Sequence, residues 1–129
     1  MLVLLTQFLG ALLGMLAIIF GAFGAHALQK KASASQLASF ETGVKYQMYH
    51  AIVLVVLGYN FSYNSPVEDY IILCFLVGTF LFSFSIYGLV LSDIAGKKWR
   101  FLGPITPIGG LLLSVGWALL AYSFVAHIL

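Results

Sequence analysis

From Leu2 to Leu28 the chain offers water almost nothing: only Thr6, Gln7 and His26 interrupt a run of aliphatic, aromatic and small residues. Such a run exceeds the roughly 20 apolar residues that a helix needs to cross hydrocarbon. It also exceeds the apolar core of a signal peptide, about 7–15 residues, and lacks the basic stretch that precedes one. Ala25-His26-Ala27 imitates a cleavage site, but the run reads as a first membrane span over residues 2–28. In lipid every backbone polar group must be satisfied internally, and a helix does so within one segment. The expected fold is therefore all-α. Composition points the same way, because 8% of the 129 residues are charged, against about 25% in soluble domains.

The remaining elements follow from helix punctuation. Ser33 with Gln36 three residues on is a capping-box pattern, so a helix is expected to start near residue 34, with an amphipathic lead-in over 34–43 and a second span over 40–61. Ser65-Pro66-Val67-Glu68 combines a capping serine with proline at the first helical position, opening a third span over 67–91. Thr106-Pro107 repeats that signal for a fourth span over 107–127, ending at His127 as a solvated residue. Gly103-Pro104-Ile105-Thr106-Pro107-Ile108-Gly109-Gly110 also admits a short re-entrant segment. The whole is an integral membrane four-helix bundle forming one transmembrane domain across residues 1–129.

Small residues mark where the rods are expected to touch. Gly10, Gly14, Ala17, Gly21 and Gly24 recur at helical spacing down one face of the first span, and Gly78, Ser85, Gly88 and Ser92 do so in the third. Lipid is as apolar as leucine, so spans associate where small side chains let backbones approach. Several spans carry such edges, which suggests a homo-oligomer. The lipid bilayer is the other expected partner. Six basic residues are too few for a nucleic-acid footprint, and no cofactor motif appears. The lone Cys74 allows neither an internal disulfide nor a cysteine-rich metal site.

Polar chemistry concentrates in Glu41-Thr42-Gly43-Val44-Lys45-Tyr46-Gln47-Met48-Tyr49-His50, on a helix about to enter hydrocarbon. Ionisable groups there are expensive and by default face protein, water or a ligand. Projected on a helical wheel, His50 lies about 180° from Glu41, so this helix should be wrapped by its neighbours through its first half. His26, Glu41, Lys45, Tyr46, Gln47, His50 and Thr106 all fall in one half of the bilayer and are the candidates for a ligand or proton site. The structural reading sets a Glu41–Lys45 pair at the interface and histidines bonded to backbone carbonyls. His26, His50 and Glu41 lack the spacing of a metal site, and no catalytic residue is expected. Lys30, Lys31, Lys97, Lys98 and Arg100 occupy the first and third connections, whereas the second has no Lys or Arg. The positive-inside rule then puts both termini outside a cell membrane.

With these residues laid out, the chain resembles the short bacterial membrane proteins of unknown function typified by YgdD and YwdK, which have a eukaryotic transmembrane relative. The resemblance rests on Gly21-Ala22-Phe23-Gly24-Ala25-His26, on Glu41 to His50, and on Gly103 to Gly110, and it covers nearly the whole chain. It departs at Phe82-Ser83-Phe84-Ser85, where the family pattern is closer to Phe-Ser-Gly-Ser. The resemblance implies a compact four-helix membrane protein and implies no established substrate, cofactor or catalytic residue. The leading expectation is a non-enzymatic structural or accessory membrane component. The alternative is a small transporter or proton-conducting pore along His50, Gln47 and Glu41. A membrane enzyme acting on lipid head groups is a third reading with no nucleophile and base to carry it.

Overall fold

A computed structural model of the chain describes residues 1–126, 128 and 129, so the expectation for His127 lies outside the described residues. Four rods account for most of it: α1 (Leu2–Leu28), α2 (Ala34–Asn60), α3 (Pro66–Ile94) and α4 (Ile105–Ala126). The start signals act as their chemistry demands. Ser33 Oγ accepts from the Gln36 backbone N–H at 3.1 Å while Gln36 Oε1 accepts from the Ser33 N–H at 2.9 Å. Ser65 Oγ accepts from Val67 N–H, with Pro66 in the first turn. The fourth rod begins two residues earlier than Thr106-Pro107 implies. A short 3₁₀ turn, Arg100–Leu102, leads into it, and no re-entrant segment forms. Pro107 is tolerated because N–H groups of a first turn have no partner inside the helix, which frees Thr106 from a capping role.

Among the described residues α1, α3 and the Arg100–Ala126 segment are long and apolar enough to cross a membrane. The equally long α2 is not apolar enough by composition, since its first half carries Gln36, Glu41, Lys45, Gln47 and His50. Its contacts show that it runs beside α1 over the same length. A Cβ added at Gly24 would meet Phe40, at Gly21 Val44, at Gly14 Ala51 and Met48, and at Gly10 Leu54 and Val55; one at Gly58 would meet Gln7. That ladder runs antiparallel along all of α1. Of the polar residues of α2, Gln47 and His50 are covered by protein, while Glu41 and Lys45 are exposed.

The rods are unequal neighbours. α2 and α3 form the centre, α1 flanks α2, and α4 flanks α3. Leu54, Leu57, Ile71, Ile72, Phe75, Leu113 and Leu120 fill one core cluster, and Leu28, Phe40, Ile86, Tyr87 and Val90 fill a second nearer the other end. Between them α3 passes through a single π-turn segment, Phe80–Phe84. The extra residue per turn lets Ser83 face α2 and Ser85 face α4, as their hydrogen bonds show. Phe84 points its ring to Phe20 of α1 and to Tyr87, with centroids 6.1 and 5.5 Å away. The tightest contact with α4 lies one step aside. A Cβ at Gly109 would lie 2.4 Å from the Phe82 nitrogen, so the two backbones touch there.

Candidate functional site

Gln47 ties three rods with one amide. It is fully buried; its Nε2 donates to the Leu13 carbonyl of α1 at 2.8 Å, and its Oε1 accepts from the Tyr87 hydroxyl of α3 at 2.6 Å. One turn earlier, Ser83 Oγ donates to the Gly43 carbonyl at 2.7 Å. Gly43 allows this approach, since a Cβ there would sit 2.8 Å from the Tyr87 ring. One turn later, His50 is 4% exposed and spans α2 and α4. Its Nδ1 meets the Tyr46 carbonyl at 2.7 Å, and its Nε2 meets the Trp117 indole N–H at 3.1 Å. A carbonyl only accepts and an indole N–H only donates, so the neutral Nδ1–H tautomer is the one that satisfies both. Phe75 and Trp117 close around the ring, with centroids 5.5 and 6.1 Å away.

This centre has little left with which to do chemistry. Both ends of the Gln47 amide and both ring nitrogens of His50 have protein partners, and the Tyr87 hydroxyl donates to the amide. Buried polar groups satisfied in this way rigidify a core and select one packing. Glu41, Gln47 and His50 do not line up as a conduit, because Glu41 is exposed while the other two turn inward. Among the described residues no three His, Cys, Asp or Glu side chains gather where a metal ion would sit.

The other expected site residues lie apart. Glu41, Lys45 and Tyr46 are exposed, although the Tyr46 ring packs against Phe82 of α3 with centroids 5.0 Å apart, which corrects the expectation that neighbouring rods wrap the first half of α2. Phe40, Val44 and Met48 face α1, whereas Gly43 and Gln47 face α3; with α4 seated on α3, a third sector of α2 stays open. His26 is exposed on the closing π-turn of α1, where Gly24 and Leu28 take the buried side, so the two imidazoles do not share a pocket. Thr106 is half-buried and pairs with Ser85, hydroxyl to hydroxyl, at 2.6 Å.

Two surface features escaped the sequence reading. A cleft of about 520 Å³ opens between α2, the last turns of α3 and the start of α4, where α3 and α4 diverge beyond the Gly109 contact. Ser35, Ser39 and Thr42 line it at spacings of four and three, a same-face hydroxyl pattern that could have been read from the sequence. The second feature is a stripe on the open sector of α2. Lys45, Tyr49, Ile52, Val56 and Tyr59 are all exposed and recur at spacings of four, three, four and three. Beside it Gly10, Ala11 and Gly14 help line a shallow apolar groove of about 210 Å³.

A family model described as "Protein of unknown function (DUF423)" matches residues 20–110. A UPF0382 membrane protein of Staphylococcus saprophyticus is 42% identical over 112 residues, 87% of this chain and 89% of its own. One from Staphylococcus haemolyticus is 41% identical over 115 residues, covering 89% and 90%, and one from the fission yeast Schizosaccharomyces pombe is 38% identical over 109 residues, covering 84% and 91%. The chain belongs to the DUF423 family. It is an all-helical membrane protein, as its fold and these relatives agree. No solved structure matches it. The matched residues take in α2, α3 and the Gly109 contact, and so most of the Gln47 and His50 network, leaving out Leu13 and Trp117.

Proposed function

We propose that the protein is a non-enzymatic structural or accessory component of the cell membrane, working as an assembly of copies joined along the open sector of α2. One observation carries this reading: the exposed stripe Lys45, Tyr49, Ile52, Val56 and Tyr59 has the 3.5-residue period of a coiled-coil seam. Gly14, near the middle of α1, faces Met48 and Ala51. With the middle of α1 taken as the bilayer midplane, Lys45 lies about 7 Å from it, well short of a half-thickness of about 15 Å. An ammonium presented there to acyl chains is costly, and snorkelling recovers only part of the cost. A second copy related by a two-fold axis along the membrane normal would cover the stripe, seat its ridge in the groove beside Gly10 and Gly14, and bring its Glu41 towards Lys45.

The glycine faces themselves are mostly used within one chain: Gly10 and Gly24 against α2, Gly78 against Leu113 and Gly88 against Leu102. Support for self-association therefore comes from α2 and not from surplus small-residue edges. Orientation follows from the basic residues of the first and third connections, which puts both termini outside.

Disulfide cross-linking tests the assembly. In a Cys74→Ala background, Ile52→Cys is expected to give covalent dimers on mild oxidation in membranes, and Ile18→Cys, exposed on α1, is expected to give none. Lys45→Glu should weaken the dimer by like charge, and Glu41→Lys combined with Lys45→Glu should restore it. A strict monomer by mass in mild detergent and in nanodiscs, or equal cross-linking at both positions, overturns the reading.

A further inference from the structure

We propose that the cleft between α2, the end of α3 and the start of α4 binds a zwitterion joining a primary ammonium to a phosphate, with the ammonium against Asp93 and the phosphate beside Lys98.

The cleft is built to hold both signs of charge at one end of the bundle. α3 closes in a Schellman turn: Gly96, at φ +82°, donates its N–H to the Asp93 carbonyl at 3.0 Å, and Lys97 N–H donates to the Ser92 carbonyl at 3.0 Å. Asp93 and Lys98 stand on either side of that turn, and both line the cavity. Gln36 Nε2 donates to Asp93 Oδ2 at 2.9 Å, which orients the half-buried carboxylate and leaves its remaining lone pairs for a ligand. A primary ammonium offers three N–H donors to such a carboxylate, whereas a quaternary amine offers none.

The anionic end falls to Lys98, with the hydroxyls of Ser35 and Ser39 one turn apart on the same wall. These belong to the first two turns of α2, where the helix dipole favours negative charge. Several donors spread over two walls suit the three-dimensional array of phosphate oxygens better than a planar carboxylate. The inner part of the cavity is lined by Ile86, Leu89 and Pro107. Its volume falls within the range of small-molecule sites, and an amphipathic lining favours a ligand that is itself polar at one end and apolar at the other. Phosphatidylethanolamine has that form, and soluble O-phosphoethanolamine shares its polar chemistry.

The test needs no knowledge of oligomeric state, so it can fail independently of the assembly. The full chain is incorporated into nanodiscs holding equal phosphatidylethanolamine, phosphatidylcholine and phosphatidylglycerol with matched acyl chains, extracted in mild detergent, and its retained lipid measured by native mass spectrometry. Calorimetry with O-phosphoethanolamine forms the soluble arm. A charge-assisted hydrogen bond predicts roughly tenfold enrichment of phosphatidylethanolamine over phosphatidylcholine. Asp93→Asn should abolish that preference, and Lys98→Gln, on an exposed turn where folding is not at stake, should lower retention of the ethanolamine lipid. Binding of the soluble compound that depends on Asp93, without lipid enrichment, supports the site and makes a free zwitterion its ligand. Equal retention of all three lipids with no soluble binding, enrichment of phosphatidylglycerol, or an ethanolamine preference that survives both substitutions overturns the proposal.

Discussion

Gln47 ties the centre of the bundle together, because its two ends reach different neighbours. Removing the Tyr87 hydroxyl leaves Gln47 Oε1 buried without a donor. Hydrogen bonds between spans contribute less than solvent-free intuition suggests, averaging about 0.6 kcal/mol and reaching about 1.7. Tyr87→Phe is therefore expected to cost about 1 kcal/mol and Gln47→Leu about 2, since the latter also frees the hydroxyl and drops the Leu13 contact. Unfolding in mixed micelles measures both, and the double variant should cost less than the sum of the singles; strict additivity would mean that the amide and hydroxyl act separately. His50 follows the same logic. With Nδ1 on the Tyr46 carbonyl and Nε2 on Trp117, His50→Ala is expected to leave proton flux into liposomes unchanged while lowering stability. A flux that falls with the substitution would show the ring passing protons.

At the scale of helices, adjacent glycines make opposite predictions. Gly109 has no room: a Cβ there would lie 2.4 Å from one backbone nitrogen of α3 and 2.8 Å from a neighbouring carbonyl carbon, and backbone cannot step aside. Gly110 faces the Phe82 ring at 3.6 Å, an ordinary contact. Gly109→Ala should force α3 and α4 apart and cost more than about 2 kcal/mol, whereas Gly110→Ala should be neutral or gain up to about 1 kcal/mol from helix propensity. Thermal unfolding of the two variants side by side checks this; similar midpoints would mean that the bundle relaxes easily there. The same elements show what was legible beforehand. The capping pair Ser33 and Gln36, the Ser65-Pro66 start and the glycine run of α1 are local signals, and each marks a feature present in the fold. Which sectors of α2 are covered depends on α4 choosing α3 as its neighbour, and no periodicity in α2 encodes that. Hence Gln47 and His50 turn inward while Glu41 and Lys45 do not. The cleft depends on α3 and α4 diverging past Gly109, a geometric consequence visible only once both rods stand in place.

For the whole molecule, the remaining variable is direction across the bilayer. The Gln36–Asp93 hydrogen bond shows that the connections after α1 and after α3 share one end of the bundle. That end carries Lys30, Lys31, Lys97, Lys98 and Arg100, and the connection at the opposite end, from Phe61 to Ser65, carries no Lys or Arg. Each basic residue near an anionic inner leaflet contributes about 1 kcal/mol, so five of them at one end outweigh any single reversal. The expected orientation is testable with cysteines at exposed positions in a Cys74→Ala background. Ser62→Cys should react with a membrane-impermeant maleimide in intact cells, and Lys97→Cys should react only after permeabilisation. The converse pattern would invert the bundle and carry the zwitterion cleft to the outer face, where its lipid would come from the other leaflet.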